Sequence, residues 1–319
     1  MASKFLDSTG LSRVINWIKN KIATSSEYGM VKLNPDENVT LNSDGQLDVG
    51  GRLGQTLQGG IYHAKDRSPR SVGENTFLIT DALGMSASGS RSFGILTGLN
   101  INFTANMPAG TTSYTVQNTF LNRLMCAGVK YLSIDEATSK VKRVTEVTSV
   151  TIGGSEFTPD STANSTTPIV ITTSESANPD SAVKSLRAFR QLGGYGSIVV
   201  GNGAGQDAGG LNLVIGQHAY NKTGNMNTVL GMYQYNQGNG NSIFGRYHIS
   251  KKNRWIMAGT GHDNSNGRAE AGAVFGQYAL IESDTVFAIG NGTSHTERSN
   301  LFEIKNDGSV YVNGTKVHG

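Results

Sequence analysis

Between Ser197 and Gly290, short apolar runs ending on a glycine return at a nearly constant interval: IVVG at Gly201, LVIG at Gly216, TVLG at Gly231, SIFG at Gly245, IMAG at Gly259, AVFG at Gly276 and FAIG at Gly290. Successive glycines stand 15, 15, 14, 14, 17 and 14 residues apart. A unit that short is too small to bury its own apolar face, so the units must stack as a solenoid. Asn212, Asn227 and Asn241 each precede a glycine by four positions, and a weaker second run follows each glycine, as in His218-Ala219-Tyr220. Two strands of four or five residues with Asn/Gly turns fill about 14 residues, whereas a helical repeat needs about 30 or more. The pattern predicts a parallel β-roll over 192–290.

Each coil offers one apolar strip, expected to run through Val199, Ile215, Leu230, Phe244, Met257, Phe275 and Ile289. A single roll this narrow has little interior, and threefold symmetry lets one strip serve every interface, so a homotrimer is expected. The segment Gly216-x-x-Ala219-x-Asn221-x-x-Gly224-x-x-Asn227-Thr228-Val229-Leu230-Gly231 resembles the head repeat of trimeric autotransporter adhesins. The same repeat is common in fibre and receptor-binding appendages of tailed bacteriophages. The resemblance implies a left-handed β-roll that trimerises; it says little about function, which a fold alone does not carry.

The flanks follow other periods. Leu11, Val14, Ile15, Trp17, Ile18 and Ile22 share one helical face behind the capping oxygens of Asp7, Ser8 and Thr9, so a short N-terminal helix is expected within 1–27. Short strands from Tyr28 to Leu33 and Asn38 to Asn42, then Gln46 to Val49 after an Asp-Gly turn, predict a β collar and linker over 28–60. This stretch resembles the N-terminal part of many phage fibre proteins, which implies that this end faces the virion.

Residues 61–191 read as an inserted, mostly β domain. Within it, Phe77–Ile79 and Phe93–Leu96 are strands, and Lys130–Ile134 pairs with Val141–Val147. Tyr114–Ala127 is expected as a helix, since Val116, Phe120, Leu121 and Leu124 share a face, and Asp180 is expected to cap another over Ala182–Phe189. Residues 291–319 predict a closing hairpin, Asn300–Ile304 with Ser309–Val312 around Asn306-Asp307-Gly308. The expected fold is thus a mostly β, homotrimeric fibre with a short N-terminal helix, a collar, an inserted β-rich domain and a roll.

Composition narrows the function classes. With 41 glycines in 319 residues, about twice the usual frequency, repeats are favoured over one large core. The 27 basic and 24 acidic residues nearly cancel and form no basic run, so no nucleic-acid partner is expected. Cys126 stands alone, which excludes an intrachain disulfide framework and a cysteine metal cluster. No basic stretch followed by an apolar one opens the chain, and no run of roughly eighteen apolar residues occurs. Neither signal-peptide export nor membrane insertion is expected, which favours a phage appendage, made in the host cytoplasm and carried on the virion, over an adhesin.

Candidate chemistry is sparse. Gly201-x-Gly203-x-Gly205 lacks the βαβ setting of a dinucleotide loop, and the six histidines show no ligand spacing, so neither cofactor nor metal is expected. Asp263, Glu270, Glu282 and Asp284 are the carboxylates that a glycan-cleaving appendage would use. Tyr220, Tyr233, Tyr235, Tyr247, Trp255 and Tyr278 recur in or beside the second strands and suit either stacking on sugars or packing between chains. The expected function is a non-enzymatic fibre. Another virion protein takes its N-terminal face, built from Leu11, Val14, Ile15, Trp17, Ile18 and Ile22, and a host-surface glycan or protein takes its aromatic column.

Overall fold

The structure, a computed structural model, describes residues 39–41, 47–49, 60–64, 76–80, 89–133, 144–160, 162 and 164–319. The expected helix over 11–22 and the strand over 28–33 lie outside the described residues. The chain divides into two units, Met1–Gln55 and Thr56–Gly319. In the first, Val39–Leu41 pairs antiparallel with Leu47–Val49, the ladder expected of an Asp-Gly hairpin.

In the second unit nine strands stack in parallel: Thr76–Thr80, Phe93–Thr97, Ile198–Asn202, Leu213–Asn221, Thr228–Asn236, Ser242–Arg246, Asn253–Thr260, Glu270–Gln277 and Thr285–Asn291. The register keeps step with the repeat, so Gly216, Gly231, Gly245, Gly259, Gly276 and Gly290 lie in one column. Gly231 has φ +137°, and a β-carbon on it would lie 1.8 Å from the Gly245 carbonyl oxygen. Only a residue without a side chain lets adjacent coils pass that closely.

Each coil turns at two left-handed corners seven residues apart, for example Leu211 (φ 59°) with His218 (φ 55°), and Met226 (φ 56°) with Tyr233 (φ 52°). A coil is therefore two short half-turns. The column Val199, Val214, Val229, Ile243, Met257, Val274 and Ala288 points inward and is sealed from solvent. Beside it, buried amides answer the backbone of the next coil. Asn212 Oδ1 accepts from Asn227 N–H at 2.9 Å, Asn227 Oδ1 from Asn241 N–H at 2.8 Å, and Asn241 Oδ1 from Trp255 N–H at 2.7 Å. Such pairing is what makes a buried polar column tolerable. A second ladder inside the roll, with Asn236 Nδ2 donating to Asn221 Oδ1 at 2.6 Å, had no counterpart in the expected pattern.

The expected apolar strip mixes two columns. Val199 and Met257 belong to the inward one, whereas Ile215, Leu230, Phe244, Phe275 and Ile289 lie in the adjacent, outward one, with Ala258 between Phe244 and Phe275. Neighbouring residues on a strand face opposite sides, so a slip of one position inverts the assignment. The roll also has a buried apolar interior of its own, larger than the little that was expected.

The domain boundary shifts as well. Thr76–Thr80 and Phe93–Thr97 are already rungs of the roll, with Leu96 standing where later coils have Gly201. The insertion leaves after Thr97 and returns before Ile198. It is a seven-stranded antiparallel sheet, in order Leu99–Met107, Val183–Phe189, Tyr131–Ser133, Thr145–Ile152, Ser165–Thr173 and Ser113–Asn118, with Ser155–Glu156 added beside Thr145–Ile152. Its core includes Ile101, Tyr114, Leu132, Ile169 and Leu186.

Pairing of Tyr131–Ser133 with Thr145–Ile152 matches the predicted hairpin, while the turn around 135–139 lies outside the described residues. Two predicted helices are corrected. Ser113–Asn118 is a strand that buries alternate residues, leaving a helix only over Phe120–Cys126. Val183–Phe189 is a strand paired on both sides, because a place in the sheet outweighs its local helical preference.

The closing hairpin forms as expected, Asn300–Lys305 with Val310–Val312, and a third strand, Thr315–His318, adds to it through the turn at Asn313 and Gly314. These antiparallel strands end the ladder on Thr285–Asn291.

Candidate functional site

Each coil has two outer faces, and the structure treats them differently. One carries Tyr220, Tyr235 and Ile249 and is covered by the insertion, whose helix lays Phe120, Leu124 and Ala127 on it. Thr119 starts that helix by accepting from Asn122 N–H at 3.2 Å. Arg190, fully buried, ends it. Its guanidinium donates to the carbonyls of Ala127 (2.7 Å), Leu124 (2.7 Å) and Met125 (3.2 Å), and across the seam to Gly203 (2.5 Å). A cation at a helix C-terminus meets both orphan carbonyls and the helix dipole. The Tyr220 ring lies 4.7 Å from the Arg190 guanidinium, and its hydroxyl donates to Asp207 Oδ2 at 2.5 Å. Gly128 leaves room for that ring, since a β-carbon there would lie 2.0 Å from it.

The other outer face is bare in the single chain. Ile215, Phe244, Phe275 and Ile289 are 36–39% exposed, and Ile198 and Ile256 in the column beside them are also exposed. At its edge Leu211 and Met226 are 60% and 67% exposed on left-handed backbone, a conformation that costs a non-glycine residue about 1–2 kcal/mol. Gln217, Arg246, Thr260 and Gln277 flank it as a polar rim. Eight rungs from Phe93–Thr97 onward, about 4.8 Å apart, make this an apolar ladder about 35 Å long.

The predicted aromatic column is divided by the fold. Tyr220, Tyr235 and Trp255 are closed to solvent and cannot touch a receptor. Tyr233, Tyr247 and Tyr278 are half-buried, and the first two stack 5.5 Å apart, with His218 on Tyr233 at 4.7 Å. A half-exposed aromatic file does exist at the left-handed corners, where Tyr233 and Tyr247 also pack against the cluster under the insertion.

The candidate carboxylates are engaged elsewhere. Glu282 and Asp284 both bind Lys305, at 2.6 and 3.1 Å, and the hydrogen bond that Lys305 donates to Glu282 is the main reason its pKa is raised. Glu270 pairs with Arg254 at 2.9 Å, and Asp263 accepts from Ser265. Between the insertion and the roll lies a cleft of about 150 Å³, lined by Lys130, Ser149, Glu156, Asp207, Tyr220 and Lys222. Burial raises the Asp207 pKa, and Tyr220 and Gln191 already donate to its oxygens. Cys126 also borders the cleft, with burial pushing its thiol up to about 12, which leaves it unreactive. Among the described residues no group of three metal-ligating side chains converges, and no helix is long and apolar enough to cross a membrane.

Comparison with protein-family models, curated proteins and solved structures finds no match for this chain. The functional reading therefore rests on the two faces of the coil.

Proposed function

We propose that this chain is the subunit of a homotrimeric, non-enzymatic fibre on a phage virion. It attaches through its N-terminal segment to another virion protein and presents the roll to a host-surface glycan or protein. The observation that carries this reading is the bare apolar ladder. Apolar patches beyond a few hundred Å² mark interaction surfaces, and a strip about 35 Å long and about 13 Å wide comes to about 450 Å² before its rim is added. The rim brings it near the roughly 800 Å² per partner of a standard interface. A second copy fits because its own ladder has the same rise and the same apolar columns, and rotation about an axis along the roll lets each ladder meet its equivalents. Trimers would leave Tyr233 and Tyr247, on the far corner of each coil, for contact with sugar rings.

The Phe244→Glu variant tests the assembly. Because Phe244 is partly exposed in one chain, the monomer should keep its circular dichroism and lose no more than about 1 kcal/mol. Three carboxylates gathered at an axis should prevent trimers from forming. Trimers that persist would refute the assignment of this face. Incubation with capsule or wall polysaccharides tests display against cleavage: binding without release of reducing ends is expected, and release over time would overturn the non-enzymatic reading.

A further inference from the structure

His248 and His262 occupy the same inward corner of successive coils, with ring centroids 5.1 Å apart and planes 14° from parallel. Both are sealed from solvent. Each ring joins three strands of backbone. His248 Nδ1 faces the His262 N–H at 3.2 Å and its Nε2 faces the Phe244 carbonyl at 3.0 Å. His262 repeats the arrangement one coil on, with Nδ1 to Ala279 N–H at 3.3 Å and Nε2 to the Ala258 carbonyl at 3.2 Å. An Nδ1 that faces a backbone donor must be an acceptor, and an Nε2 that faces a carbonyl must carry the hydrogen. The partners thus fix both rings as neutral Nε2–H tautomers.

We propose that the stacked His248 and His262 rings form an acid-sensitive latch in the distal half of the roll, holding adjacent coils only while both are neutral. A proton on either Nδ1 would set one donor against another and break the link to the next coil. A second proton would stack two cations. The cation beside the pair worsens both outcomes. Arg298, from the loop after Gly290, acts on both rings and is itself held by the carbonyls of His295 and Ala279. Asp263 and Tyr278 interact with Arg298, and His295 also faces it. Gln234 lies before His248 in the column, the Phe244 and Gly259 carbonyls face His248, and those of Ala258 and Gly276 face His262.

Burial is the first cause that lowers both imidazoles, to about 4 for His248 and about 3 for His262, where the stacked neighbour adds to it. An unfolded chain binds these protons from about pH 6.5 downward. Stability from the pair is therefore complete above that pH and is lost as the pH falls from about 6.5 towards the folded values.

The molecule supplies its own control. One coil earlier, Gln234 fills the same corner and donates through Nε2 to the Leu230 carbonyl at 3.0 Å, as His248 does to Phe244. The H248Q/H262Q double variant of the full chain should therefore fold at neutral pH. Amide exchange, corrected for its intrinsic pH dependence, is followed at His262 and Ala279. In the native chain it should quicken by about tenfold or more between about pH 6 and about pH 4, while Val214 and Val229 stay protected. In the double variant the quickening should disappear. Equal acid sensitivity in both proteins, or a loss of protection spread evenly over the roll, would overturn the latch. If the double variant does not fold, the ring nitrogens of the native chain are titrated by NMR. Rings that stay neutral below about pH 5 support the proposal, and titration near about pH 6.5 refutes it.

Discussion

Replacing Gly231 by alanine is expected to abolish folding of the roll, with a loss of at least about 4 kcal/mol. The residue has φ +137°, where side chains are rarely found, and the new β-carbon would sit 1.8 Å from the Gly245 carbonyl oxygen. That oxygen belongs to the next rung, so it cannot retreat without breaking the ladder on both sides. The same column repeats the conflict, since a β-carbon on Gly216 would lie 1.7 Å from the Gly231 oxygen. Gly240 offers the contrast. It turns a corner at φ +65° with only the Arg254 side chain near it, and the equivalent corners are held by Leu211 and Met226. Gly240→Asn should therefore leave the unfolding midpoint within a few degrees, a change of about 1 kcal/mol or less. If Gly231→Ala proves equally harmless, the coils do not pass each other as described.

Replacing Arg190 by leucine should cost about 3–5 kcal/mol and free the insertion from the roll. The guanidinium is wholly buried, and burial draws it down to about 10, so it is still charged at neutral pH. Leucine would leave the carbonyls of Leu124, Ala127 and Gly203 without their donor, each at the cost of an unmet buried acceptor. Asp207 and Tyr220 would lose the cation beside them as well. The damage should be local: limited proteolysis is expected to cut first within 98–190, while exchange protection at Val229 and Ile243 persists. A variant as resistant as the native chain would show that the insertion is held by packing alone.

The sequence was most legible where one constraint repeats. An apolar run closed by a glycine marks a rung because the close passage of coils demands it from Gly201 onward, and Asn212, Asn227 and Asn241 stand out because each answers the next backbone. The two earlier rungs escaped notice for the same reason: Leu96 occupies the glycine position, and the insertion separates Thr97 from Ile198. Which of two adjacent residues points inward was not legible, since Val199 and Val200 are chemically alike. Nor was the fate of Tyr220 and Tyr235, which are covered by Phe120 and Leu124, about a hundred residues earlier in the chain. The left-handed corner that collects Tyr233 and Tyr247 is not marked as a corner in the sequence, because histidine and glycine occur there as well, at His218 and Gly261. Nothing in the residues around Arg190 marks it as the cation that the insertion and the roll close upon.

The bare ladder along Ile215, Leu230, Phe244, Phe275 and Ile289 is the centre of the account, and the mass of the native protein in dilute neutral buffer tests it most directly. Sedimentation equilibrium should give three chain masses, unchanged on dilution to the nanomolar range. A folded species of one chain mass would mean that this face needs no partner, and the fibre reading would fall with it.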